Sequence, residues 1–173
     1  MIAGRAFTSV GDFMRFILAA AVAAFFVVAA PAQAQTVSIK DPAAFRNTLS
    51  AMGYAPTALT AADTTPEFDI DVDGFSSTLR MQGCSAGKNC KYITLVASYS
   101  DVVNRPANWV QQMNDEFDLL RVGVNDRKQL YMFGAYVIEG LPQAELKRIL
   151  DFWASDTAAI CDEAIDGGYA TDK

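Results

Sequence analysis

Between residues 67 and 99 the chain reads as three strands in succession, and this constrains the fold more than any other feature. Phe68, Ile70 and Val72 alternate with Asp69, Asp71 and Asp73, the period-two pattern of a half-buried strand. Gly74 turns the chain. Ser76 to Gly83 reads as a second strand, with Leu79 and Met81 on one side. Tyr92 to Tyr99, "YITLVASY", is β-branched and aromatic-rich and reads as a third. With only short turns between them, the three form an antiparallel meander, because parallel neighbours need a long crossover.

Helical signals flank the meander. Asp41-Pro42 reads as an N-cap with Pro at the first helical position. Phe45, Leu49 and Met52 follow at helical spacing, and Gly53 stops the run. Residues 54–66, with Pro56, Pro66 and several threonines, suggest a loop. Asn104-Arg105-Pro106 opens a second helix through about Phe117, with Trp109, Val110, Met113 and Phe117 on one stripe. Leu119 to Val124 and Leu130 to Ile138 read as a hairpin around the polar turn Asn125-Asp126-Arg127-Lys128. Gly140-Leu141-Pro142 begins a final helix, whose face is Leu146, Ile149, Leu150, Trp153, Ile160, Cys161 and Ala164. Gly167-Gly168 ends it. The order α-β-β-β-α-β-β-α predicts an α+β domain: a five-stranded sheet, antiparallel for the most part, with helices on one face.

The N-terminus predicts export. Arg5 and Arg15 precede an uncharged run from Phe16 to Ala30, then Pro31 and Ala32-Gln33-Ala34. This is the three-part secretory signal, with cleavage between Ala34 and Gln35. The run is shorter than the roughly 20 residues of a membrane-spanning helix; an uncleaved anchor is the rival reading. Met14-Arg15 begins a complete signal by itself, so Met1 and Met14 are both candidate starts. The expected division is a signal peptide at 1–34, a short polar lead-in at 35–40, the domain at 41–166 and a frayed tail at 167–173. The expected location is the periplasm.

Removing Arg5, Arg15 and Asp12 from 14 basic and 20 acidic residues leaves 12 and 19, a net charge of −7. That balance argues against a nucleic-acid partner and against an anionic membrane surface. The chain has no histidine, which removes the commonest general base and the usual Ser-His and Cys-His pairs.

"GCSAGKNCK" places Cys84 and Cys90 around five residues. A structural zinc site takes four ligands, more than three cysteines and no histidine supply. A redox pair usually has two intervening residues at a helix start. An exported compartment favours a disulfide, and the two cysteines would end antiparallel strands opposite one another, at about 5.5 Å between Cα atoms. Cys161 reads as a buried small hydrophobe on the last helix, with an intermolecular disulfide or reactive thiol as the other reading.

Asp69-Ile70-Asp71-Val72-Asp73-Gly74 resembles half of an EF-hand loop. Its twelfth position, where a bidentate Glu belongs, is Arg80. The aspartates are expected on the solvated face of a strand. Asp115, Glu116 and Asp118 with Arg121, and Asp126 with Arg127, are expected to be solvated charges rather than acid/base pairs. Trp109 and Trp153 are expected in the core.

Three segments together, "FRNTLSAMG", the "GC…NC" hairpin and "NWVQQMNDEFDLLRVGVNDRKQLYMFGAYVIEG", resemble the YbjN family, described as bacterial sensory transduction regulators. The likeness runs over nearly all of 41–165. It implies a fold like the type III secretion chaperones, often dimeric, with no cofactor and no catalytic residue. The leading expectation is an exported, non-enzymatic binding or chaperone-like domain. Its partner is a protein or peptide, held by the open sheet face or a sheet edge, and a homodimer is an option. The alternative is a small periplasmic hydrolase or thiol enzyme using Cys161 or a Ser-Lys pair.

Overall fold

A computed structural model describes residues 35–60 and 65–170. The expected signal peptide, with Ala34 on one side of its cleavage point, lies outside the described residues. The elements are α1 (Pro42–Ala51), β1 (Glu67–Val72), β2 (Phe75–Gln82), β3 (Tyr92–Asp101), α2 (Trp109–Glu116), β4 (Arg121–Val124), β5 (Gln129–Tyr136) and α3 (Gln143–Asp166). The expected element order holds. The five strands form one sheet in the order β1-β2-β3-β5-β4, and every neighbouring pair is antiparallel. Strand β5 lies between β3 and β4, so α2 carries the chain across to the far edge.

Local chemistry sets the turns and caps. The Asp41 carboxylate accepts the Ala43 and Ala44 N–H groups at 2.9 and 3.0 Å. The Ala44 bond is the main reason its acid is held below the usual carboxylate range. At the other end of α1, Gly53 adopts φ +97° while the Tyr54 N–H reaches back to the Leu49 carbonyl at 3.1 Å, a left-handed helix stop that glycine tolerates best. Asp73 and Gly74, at φ 52° and 89°, form the two-residue turn between β1 and β2, the sequence such a tight hairpin favours.

Alternation decides which face is covered. Phe68, Ile70 and Val72 of β1, Ser77, Leu79 and Met81 of β2, Ile93, Leu95 and Ala97 of β3, and Leu130 and Met132 of β5 are all buried. The ring of Phe45 in α1 meets Phe68 with centroids 6.3 Å apart. Helix α3 lies on β1 and β2, and α2 against β4. From α3, the indole N–H of Trp153 donates to the Ser77 hydroxyl at 2.9 Å in the buried interior, satisfying a polar group that would otherwise be costly there. Trp109 is buried as well, its ring edge-on to Tyr169 at 5.9 Å.

Five expectations need correction. Residues 35–40 are more than a polar lead-in: Val37 and Ile39 are fully buried. Their backbone is tied down by Val37 N–H to the Leu141 carbonyl at 2.7 Å and Gly140 N–H to the Val37 carbonyl at 2.8 Å. Residues 167–170 are not frayed, since Tyr169 and Ala170 both donate to the Ala164 carbonyl and Val103 N–H reaches the Tyr169 carbonyl; 171–173 lie outside the described residues. Helix α2 begins at Trp109 rather than near Asn104. Asn104 takes φ 53°, and Arg105, the residue before Pro106, is disfavoured from the α conformation, so the chain turns first. The last hairpin is shorter than expected, with Leu119 and Leu120 outside β4, and α3 begins at Gln143, because Gly140 turns at φ 80°.

Candidate functional site

The uncovered face of the sheet follows from the register. Arg80 of β2 lies beside Thr94 of β3, which lies beside Ala135 of β5. One row along come Asp69, Thr78, Val96, Phe133 and Arg121, crossing all five strands. The next row holds Ser98, Tyr131 and Gly123. Thr94 is buried within these rows, while Tyr131 and Phe133 remain 37% and 38% exposed. Tyr92, at the hairpin end of β3, is similarly exposed, and Val137, just past β5, is 75% exposed.

This face has two halves. On β3 and β5 it is aromatic and aliphatic, with Tyr92, Val96, Tyr131 and Phe133, and Arg121 of β4 borders it beside Phe133. The Tyr131 ring lies directly over Gly123, where a Cβ would come within 2.3 Å of it; a side chain at 123 would push the ring away. On β1 the face is acidic, facing Ser76, Thr78 and Arg80 of β2. Glu67 pairs with Arg80 at 2.8 Å, Asp69 accepts the Thr78 hydroxyl at 2.8 Å, and Asp71 accepts the Gly74 N–H. The D-x-D-x-D-G resemblance therefore resolves into a solvated strand face and a turn, as its alternation predicts. Contiguous apolar surface rimmed by polar groups is the pattern of an interaction surface, whereas apolar residues scattered singly are ordinary.

Both edges are covered over part of their length by the chain's own groups. On β4, the Asn114 side chain of α2 donates to the Val122 carbonyl at 2.9 Å and accepts the Val122 N–H at 2.8 Å. It also donates to the Val110 carbonyl of its own helix at 2.9 Å. On β1, the Thr60 backbone exchanges bonds with Glu67, while Thr57 N–H binds the Asp69 carbonyl and the Thr57 hydroxyl accepts the Asp69 N–H. The Arg46 guanidinium fixes that loop through the Pro56 and Thr57 carbonyls. Such cover suppresses pairing with a foreign strand.

Cys84 and Cys90 form a disulfide with Cα atoms 3.9 Å apart, closer than the separation expected from the strand ends. The register that pairs Gln82 with Tyr92 sets them opposite each other beyond the last strand pair. The loop they close docks on the segment before α1, with Asn89 N–H donating to the Lys40 carbonyl at 2.7 Å and Lys88 reaching Asp41 at 3.9 Å.

Cys161 is buried on the core side of α3, and burial pushes its thiol up to about 12. A thiol held neutral is a poor nucleophile. Arg121, considered with Asp115, Glu116 and Asp118, instead donates to the Phe117 and Leu120 carbonyls. Among the described residues no serine hydroxyl is bonded to a lysine amine, and no cluster of acidic or cysteine side chains could hold a metal ion. Asn114, which the sequence offered only as part of a family likeness, is the residue that seals an edge. Its signal was an amide placed mid-helix, where such a side chain has backbone to bond. Neither a scan of protein-family models nor a search of curated proteins finds a match to this chain.

Proposed function

We propose that this chain is an exported, non-enzymatic binding domain of the YbjN type, chaperone-like in fold, that holds a partner polypeptide on its open sheet face. The observation that carries the reading is the pairing of an open aromatic face with edges partly covered by the chain's own groups. Tyr131 and Phe133 stand exposed on adjacent rows, while Asn114 and Thr57 occupy the edge backbone a strand-adding partner would need. A face of this kind recognises side chains rather than backbone. The acidic half, Glu67, Asp69 and Asp71, favours a segment carrying basic residues beside its apolar ones. The absence of histidine and the inert Cys161 support a binding role over a hydrolase or thiol enzyme.

The test pairs the mature chain with a Phe133→Glu variant as baits in periplasmic extract. Phe133 is 38% exposed, so the variant is expected to keep its far-UV spectrum while its unfolding midpoint falls modestly with the loss of a partly covered ring. The reading expects a partner, or a second copy of the chain, to be retained by the wild type and reduced at least about ten-fold by the variant, the scale of one lost aromatic anchor. Equal retention by both baits contradicts it.

A further inference from the structure

Apart from the open sheet face, the chain has a cleft of about 500 Å³ where the β3–α2 connection meets the β4–β5 turn. Its walls are Val102, Val103, Ala107 and Val124, and its polar groups are Asn104, Arg105 and Lys128. The volume falls within the roughly 300–1,000 Å³ of small-molecule sites. Two features set it apart from the rest of the surface. The chain is acidic overall, at −6, yet every charged lining residue here is a cation. Neither Arg105 nor Lys128 joins any of the ion pairs formed among the described residues. Arg105 donates to the neighbouring Pro106 carbonyl at a long 3.5 Å.

The cleft is held in shape. Val102 N–H binds the Lys128 carbonyl at 2.8 Å, which ties the connection to the turn, and Val103 N–H binds the Tyr169 carbonyl at 2.7 Å. Asn125 fixes the turn by accepting the Arg127 and Gln129 N–H groups. An Arg fork and a Lys amine lining one cleft with aliphatic walls suit one anionic head on an apolar stem.

We propose that this cleft binds a carboxylate carried on an apolar stem. Two sources share that chemistry: a free amphiphilic acid and the C-terminal residue of a polypeptide. The test is amide-shift titration of the mature chain with octanoate, with octanol, and with a short apolar peptide whose C-terminus is free or amidated. The expected result is saturable shifts at residues 102–107, 124 and 128 with octanoate or with the free-terminus peptide. Octanol and the amidated peptide should bind at least about ten-fold more weakly, the effect of losing a charge-assisted bond. Arg105→Gln with Lys128→Gln should weaken binding by at least the same factor while leaving shifts elsewhere in place. Response to octanoate alone identifies a free acid as the source, and response to the free-terminus peptide alone identifies a chain end. Absence of saturable shifts with both acids overturns the proposal. So does equal affinity for the neutral analogues, or binding unchanged by the double substitution. The sheet-face reading is untouched by any of these outcomes, because its test uses Phe133.

Discussion

Asn114 does with one amide what a neighbouring strand would do with its backbone, and its bonds to Val122 close the β4 edge. Replacing it with Ala should leave Val122 N–H and C=O unpaired by the protein and cost about 1–3 kcal/mol, the range for stranded polar groups. A denaturant melt measures this directly. The same variant should self-associate more readily, since an open edge is a template for pairing; sedimentation reads that outcome. Cys161 makes the opposite kind of prediction, of inertness. Its thiol stays protonated in the fold up to about pH 12, against 9.0 unfolded. Its burial therefore adds stability in full below pH 9.0, lost as pH rises toward 12. Alkylation at pH 8 should label no thiol in the native protein. After denaturation without reductant it should label one, and with reductant three, the full cysteine count.

At the scale of elements, the disulfide hairpin acts beyond its own two strands. Cys84–Cys90 shapes the loop that places Asn89 against Lys40, so it secures the segment in which Val37 and Ile39 enter the core. Replacing both cysteines with Ser should destabilise the fold by roughly 2 kcal/mol in the chain-entropy picture. Hydrogen exchange should rise first at residues 37–40 and 84–91. The elements legible in the sequence were those whose pattern is local: the alternation of β1, the two-residue turn at Asp73-Gly74, the cap at Asp41, the long face of α3. Residues 35–40 read as a polar lead-in because Val37 and Ile39 are too few to announce a strand, and the bonds of Gln35, Val37 and Ile39 go to residues 139–143, a hundred positions away. The start of α2 was misread because Pro106 is compatible with a first helical turn; Asn104's left-handed backbone overrides it. Which strand lies between β3 and β4 was not legible at all, since order within a sheet is set by long-range packing.

For the whole molecule, the sequence predicted helices on one face and a role for the other, and the register supplies what patterning leaves out. Phe133 and Tyr131 alternate with buried Met132 and Leu130, which identifies them as outward-facing. Only the pairing of β5 with β3 and β4 assembles them with Val96 and Arg121 into one surface. The central claim is that partners meet this surface and not the helical side. It is tested most directly by placing a photo-crosslinking side chain at Val96 in one sample and at Phe152 in another, since Phe152 is 50% exposed on α3. Each is irradiated in periplasmic extract, and the adducts are read by mass. A discrete adduct is expected from position 96, to a partner protein or to a second copy of the chain, and none from position 152. Adducts from 152 alone, or from both positions equally, would contradict it.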